Sequence, residues 1–407
     1  MNKTIYIEGE GCDRRLLEKS KIIQYLEKNN YKFTCRPSRA DYLLLFTCAF
    51  KQDEEDYSSA RVRALQNYRG RLLIYGCLPD IAPHRLEVLV SLHKLAPKDL
   101  DRIDEFFEGI EVRYAEVANP HGILNSPKAA FFQKVRRQLF NRHFIGNRLV
   151  HVRDLFAGTN NHYYLMVSRG CLGKCSYCAI RRAVGSVKSK PIPAIVAEFR
   201  EGLQARFQDY VLLGDDLGSY GLDGPGTLPL LIKSLNEEIK SFRNITKEAA
   251  LEGPGVRLHL KEVHPKYLLR YEEYLPKLLE DQNIKSLLCP IQSGSPRILE
   301  LMQREHTVDD LRRTIGKIRR FGPGIELSTQ IIVGFPTESE EDFETTLSLV
   351  GELGFRWVVV FPYDRKPNTP AASLEGQAPP RVIQSRVKKA LRYFRHHGIK
   401  ALTNCPW

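Results

Sequence analysis

The chain has 407 residues, a hydrophobic fraction of 43%, and 61 Lys and Arg against 48 Asp and Glu, for a formal charge of +13. That length supports two or three domains with a real core, and no run of about 18 apolar residues exists to form a membrane-spanning helix. The N-terminus, MNKTIYIEGEGCDRR, lacks the apolar centre of a signal peptide, so a cytosolic address is expected, where cysteines stay reduced.

The first third alternates strands and helices. KTIYIEG (3–9) is β-branched and alternating, as a strand is. LLEKSKIIQYLEKNN (16–30) has helical spacing and ends in Asn-Asn, a C-cap signal. DYLLLFTC (41–48) and RLLIYGC (71–77) are continuous apolar runs, typical of strands buried on both faces, with a polar helix over 54–67 between them. This is the grammar of a parallel α/β sheet. Cys12, Cys48 and Cys77 each fall at or just past a strand's C-terminal end, where such sheets bind ligands. They are expected to converge on one sheet edge; three separate buried thiols are the other reading.

Residues 118–160 read as a connector. Its stretch FFQKVRRQLFNRHFIGNR interleaves Phe131, Phe132, Phe140 and Phe144 with arginines, which suits either nucleic-acid stacking or an amphipathic docking helix. From His162 the βα rhythm resumes. Strands are expected at YYLMVSRGC, DYVLLGDD (209–216), VRLHLKEV (256–263), SLLCPIQSG (286–294), IELSTQIIVGFP (325–336) and WVVVFPY (357–363). About six βα units indicate a partial or complete parallel barrel with its site at the strand C-termini. After PNTPAASLEGQAPP one basic helix is expected over 381–397.

SRGCLGKCSYCAIRR (168–182) packs Cys171, Cys175 and Cys178 into eight residues. Zinc wants four ligands, usually paired CxxC units, and no fourth His or Cys follows closely, although one could come from elsewhere. A [4Fe–4S] cubane on three thiolates leaves one iron free to chelate a small molecule.

The spacing C-x3-C-x2-C on the first loop of a βα barrel, with the aromatic Tyr177 before the third cysteine, resembles the radical S-adenosylmethionine (SAM) superfamily. GCLGKCSYCAIRRAVGSVKSKP, LLGDDLGSYG, PIQSGSPRILELMQREHT, STQIIVGFPTESEEDFETT and FPYDRKPNTPAA resemble, in order, the methylthiotransferases within it. EGCD, FTCAF and YGCLP resemble that family's second triad. The resemblance implies two [4Fe–4S] clusters, one on Cys171, Cys175 and Cys178 and an auxiliary one on Cys12, Cys48 and Cys77. It implies SAM as both methyl donor and radical source, with sulfide or polysulfide on the auxiliary cluster. A reductase such as flavodoxin or ferredoxin is the implied electron donor, and no membrane partner is expected.

The implied domains are 1–120 (Rossmann-like, auxiliary cluster), 121–160 (linker), 161–370 (radical SAM (βα)6-type partial barrel) and 371–407 (a C-terminal helical extension). SAM contacts are expected from Tyr177, from Gly214, Asp215 and Asp216, from Gln292 and Ser293 beside Gly294, and from Gly334 beside Phe335 and Pro336. Glycines at these ends also serve as plain turn formers; Gly11 beside Cys12 lets the backbone approach a cluster closely or is a plain turn glycine. Arg181 and Arg182 pair an anion or sit in solvent. Cys35, Cys289 and Cys405 read as structural. Better-known family members carry a β-barrel RNA-binding module (TRAM) after the PGTPA-like turn, whereas here 37 residues follow Pro370 and read as a loop and one helix. The expected substrate is therefore a peptide or protein side chain, as in ribosomally made natural-product precursors. A tRNA adenosine beside the anticodon, met by the basic surface, is the alternative. A further one is an auxiliary cluster used only for electron transfer.

Overall fold

The computed structural model describes residues 3–9, 11–87, 93–122, 162–246 and 255–403. The aromatic–arginine stretch after Pro127 and Cys405 lie outside them. The chain forms two compact units, one within 1–161 together with Arg182–Gly185, the other over the rest of 162–406.

The first unit is a five-stranded parallel sheet. Its strands are β1 (Thr4–Glu8), β2 (Lys32–Phe33), β3 (Tyr42–Thr47), β4 (Arg71–Gly76) and β5 (His93–Leu95), in the order β2-β1-β3-β4-β5. Every residue of β3 is buried, as a central strand covered on both faces requires. Helices Asp13–Lys28 and Gln52–Leu65 connect the strands. Asn29 caps the first helix and pins the chain far downstream: its Oδ1 accepts from the backbone of Glu111 and Val112 at 2.8 and 2.9 Å. Asn30 takes the left-handed conformation (φ 61°) that ends the helix. Against one face lie Tyr25, Tyr31, Tyr42, Phe106, Phe107 and Tyr114, meeting at ring distances of 4.9–6.1 Å. Mixed edge-to-face and tilted geometry of this kind suits aromatic quadrupoles.

The second unit holds an all-parallel open sheet of seven strands. These are β6 (His162–Met166), β9 (Asp209–Leu213), β10 (Arg257–Leu260), β11 (Ile284–Leu288), β12 (Glu326–Val333), β13 (Trp357–Pro362) and β14 (Lys400–Leu402). They follow the order β14-β13-β12-β11-β10-β9-β6, with helices between them. A small antiparallel pair, β7 (Ser168–Arg169) and β8 (Lys188–Ser189), brackets the cysteine loop. The fold is thus α/β, with a parallel domain followed by a partial barrel. Two helices start on full capping boxes, Thr307 with Asp310 and Ser339 with Asp342. β11 ends at Leu288, earlier than its apolar run suggests, because Pro290 lacks an N–H for the ladder; Gln292 then rejoins β12 through one isolated bridge. The C-terminal segment holds more than a helix: after Pro380–His396 the chain returns as β14 alongside β13.

Candidate cluster sites at the strand ends

In the first unit, Cys12, Cys48 and Cys77 stand immediately beyond Glu8–Gly11, β3 and β4, at the carboxyl edge of three adjacent strands. The strands close there because of two glycines. Gly9 has φ +110°, and a Cβ on it would lie 2.1 Å from the Phe46 carbonyl oxygen. Gly76 has φ +129°, and its Cβ would lie 2.1 Å from the Thr47 oxygen. Cys77 N–H then donates to that oxygen at 3.1 Å. Ser58 clips Cys48 in place, accepting from its N–H at 3.0 Å and donating to its carbonyl at 2.9 Å. Burial pushes the Cys48 thiol up to about 12, helped by the charges of Glu54 and Cys12 and opposed by the Phe50 N–H. Cys12 is the N-cap of a 16-residue helix. Gly11 is explained by packing: its Cβ would sit 2.7 Å from Arg15 Cβ.

In the second unit the loop after β7 carries the other triad. Gly170 (φ +82°) is required, since a Cβ would lie 2.0 Å from the Ser186 oxygen, and its N–H donates to Asp215 Oδ2 at 2.8 Å. Gly173 N–H donates to Cys171 Sγ at 3.1 Å. A side chain at Gly173 would stand 3.2 and 3.8 Å from Cys171 and Cys175 Sγ, so its absence clears space between two sulfurs. Ser176 anchors the loop through Oγ to Leu301 O (2.7 Å) and N–H to Met302 O (3.0 Å). Burial raises the thiols of Cys171 and Cys178, the latter to about 11. For Cys171 the Asp216 charge adds to this, and for Cys178 the Cys175 charge does, against the Ile180 and Arg181 N–H groups. Cys178 is nevertheless exposed.

Neither cysteine triad draws its three sulfurs all within 4.8 Å of one another, as a single metal ion would require. Among the described residues, the only His/Cys/Asp/Glu group whose donor atoms all lie within 4.8 Å of one another is His162, Asp209 and His259. Tetrahedral zinc at about 2.3 Å needs sulfurs about 3.8 Å apart, whereas a cubane takes each thiolate on a different iron.

The other expected residues separate into two groups. Asp216 is 4% exposed and lies 3.9 Å from Cys171 Sγ; burial lifts its carboxyl to about 7 against the His264 N–H and Arg304. Gly214 packs on Ser168, whose Oγ would be 2.7 Å from a Cβ there. Gln292 takes φ +68° and its buried Oε1 has no hydrogen-bond partner. Tyr177 accepts from Arg304 Nη1 at 3.4 Å. Ser168 Oγ, Arg304 Nε and both His306 ring nitrogens are likewise buried and unpartnered. Buried polar atoms left unpaired are what a polar cofactor would satisfy. Ser293 and Gly334 go elsewhere. Ser293 Oγ meets Thr346 Oγ1 at 3.2 Å inside the core, and a Cβ on Gly334 would strike Ile383 at 2.5 Å. They seat the helices Glu340–Glu352 and Pro380–His396. Cys289 is fully buried with its thiol at about 12, and Cys35 is exposed.

Arg304, His264, His306 and Ser168 were not singled out by sequence. Burial, then the Arg304 charge, drops His264 well below its ordinary value and His306 to about 3, so both rings are neutral.

The radical SAM superfamily profile matches residues 165–350, and that of the uncharacterized protein family UPF0004 matches 4–95. The chain is 28% identical over 399 residues to the threonylcarbamoyladenosine tRNA methylthiotransferase of Homo sapiens, covering 97% of this chain and 63% of that one. It is 27% identical to the Thermotoga maritima protein of the same description, over 93% of this chain and 78% of that one. The chain thus spans under two thirds of the human relative's length. Among solved structures, the radical SAM methyltransferase TsrM from Kitasatospora setae shares the fold at TM-score 0.59 and 12% identity, over 91% of this chain and 77% of that one.

Proposed function

We propose that this chain, which belongs to the radical SAM methylthiotransferase family, inserts a methylthio group into an adenosine of tRNA. What carries the proposal is the pair of three-cysteine sets, each at the carboxyl edge of its own parallel sheet, with unpaired polar atoms around the second. When bound, SAM and the iron–sulfur clusters supply the methyl group, the sulfur and the radical. The chain's own part is to hold and shield. Gly173 N–H orients Cys171, Ser58 orients Cys48, and Gly9 and Gly76 let the strand ends approach. Asp216 and Gln292 offer acceptors for an ammonium or hydroxyl group.

The relatives' names turn the substrate expectation away from a peptide side chain and toward tRNA, and nothing in the comparisons supports a natural-product precursor. The surface agrees. Helix Pro380–His396 contains no acidic residue, and Arg381, Lys388, Arg392 and Arg395 on it are exposed and form no ion pair among the described residues. Such a row of cations suits phosphates. A reductase of the flavodoxin or ferredoxin kind would deliver electrons, and a cytoplasmic site of action goes with tRNA.

Anaerobically reconstituted protein should hold about eight iron and eight sulfide per chain. With methyl-labelled SAM and tRNA lacking the modification, label should appear on sulfur in a digested nucleoside. Label in a peptide instead would return the substrate to that class. Deoxyadenosine without methyl transfer would reduce the auxiliary cluster to electron transfer, and zinc alone would end the reading.

A further inference from the structure

Arg304 is 7% exposed, yet it has no acidic partner. No carboxylate lies within ion-pairing distance of it among the described residues. One Nη donates to the Pro290 carbonyl, a neutral group. The other points at Cys175 Sγ and Tyr177 OH, 3.4 Å from each, and Nε has no partner. Asp216 feels its charge without pairing with it, and burial has lifted that carboxyl to about 7. The neighbouring imidazoles, His264 and His306, are neutral and compensate nothing.

A buried guanidinium without a counter-charge is strongly unfavourable. Proteins keep one where a bound group supplies the anion. A cubane on three thiolates carries net negative charge, and reduction adds one more unit to it. Hydrogen bonds to cluster sulfurs and nearby charge are the levers that set cluster potential. Arg304 provides both at once: an N–H aimed at one ligand sulfur and a full positive charge fixed in low dielectric. The Pro290 carbonyl holds the guanidinium fork in that orientation.

We propose that Arg304 is a positioning residue that raises the reduction potential of the cluster on Cys171, Cys175 and Cys178, making the electron needed for SAM cleavage easier to place. This rests on the cluster assignment made above. The test is an EPR-monitored redox titration, without substrate, in a Cys12→Ala/Cys48→Ala/Cys77→Ala background so that one cluster reports. Arg304→Gln should lower the reduced-to-oxidised ratio at fixed potential at least tenfold, a midpoint shift of about 59 mV to the negative for one electron. Arg304→Lys, which keeps the charge and loses the fork, should fall between Gln and Arg.

Equal midpoints in all three proteins would overturn the proposal. If Arg304→Gln loads no iron but Arg304→Lys does, with a lowered midpoint, charge compensation is supported. If both melt well below the parent protein and load no iron, Arg304 is a packing residue and the proposal falls. Should the parent itself hold no four-iron cluster, the functional reading fails first.

Discussion

Replacing Lys388, Arg392 and Arg395 together by glutamine tests whether the helix Pro380–His396 tracks an RNA backbone. The three are exposed and unpaired, so their loss costs the fold little. Their spacing puts them on one face, with rises of about 6 and 4.5 Å between successive charges. Each phosphate neutralised contributes about 0.7–0.9 to the slope of log affinity against log salt. Three contacts therefore account for a slope of about 2.1–2.7, equivalent to roughly 20- to 40-fold of affinity between 50 and 200 mM salt. Fluorescence anisotropy with labelled tRNA over that range should show the wild-type slope steeper than the variant's by that amount. Lys240→Gln is the control, an exposed lysine already paired with Asp281 at 2.7 Å, and should leave the slope unchanged. Parallel lines for the triple variant and wild type would refute the phosphate track while leaving the methylthio reaction untouched.

Cys175→Ala should abolish deoxyadenosine formation, whereas Cys48→Ala should retain some of it and lose methylthiolated product, both read by chromatography of the reaction mixture; product from Cys48→Ala would remove its triad from sulfur delivery. Gly76→Ala forces a Cβ to 2.1 Å from the Thr47 oxygen at φ +129°, so strain and overpacking of about 2–4 kcal/mol should lower the melting temperature and cut bound iron toward half. Asp342 lies well below its ordinary value, at about 2, because hydrogen bonds from Ser295, Ser339 and Arg297 outweigh the upward push of burial. A lowered folded-state pKa means stability that is complete above pH about 4 and lost on acidification toward 2. Asp342→Asn should therefore melt lower than wild type at pH 6, and the gap should close at acid pH.

Local pattern carried the inner strands such as β3, β4 and β9 because they are apolar runs buried on both faces; β2, β5 and β14 are two or three residues long and largely exposed, and carry no such signal. Cys12, Cys48 and Cys77 were legible for the same reason. Once three adjacent strands are parallel, their C-terminal ends must lie along one edge, however distant in sequence. Register helped less where proline intervened: the run Ser286–Gly294 promised a longer strand than Pro290 allows, and the left-handed turn at Gln292 follows from that break.

Contacts between segments far apart in sequence were not legible. Arg304 reaches Cys175 across 129 positions, and no periodicity encodes which buried side chain a loop cysteine meets. Ser293 and Gly334 show how local packing competes with a ligand role. Both sit past strand ends, where ligand contacts concentrate, but each packs on a helix that follows the next strand, Ser293 on Glu340–Glu352 and Gly334 on Pro380–His396. Small residues at such a position therefore serve two demands, close backbone approach to a ligand and close approach of a helix, and only the neighbour distinguishes them. For Gly334 the neighbour is Ile383, at 2.5 Å from where a Cβ would be; for Gly173 it is a pair of sulfurs. The second kind of neighbour marks chemistry, which is why Gly173, in a loop read mainly for its cysteines, says more about the site than the glycines chosen for their strand ends.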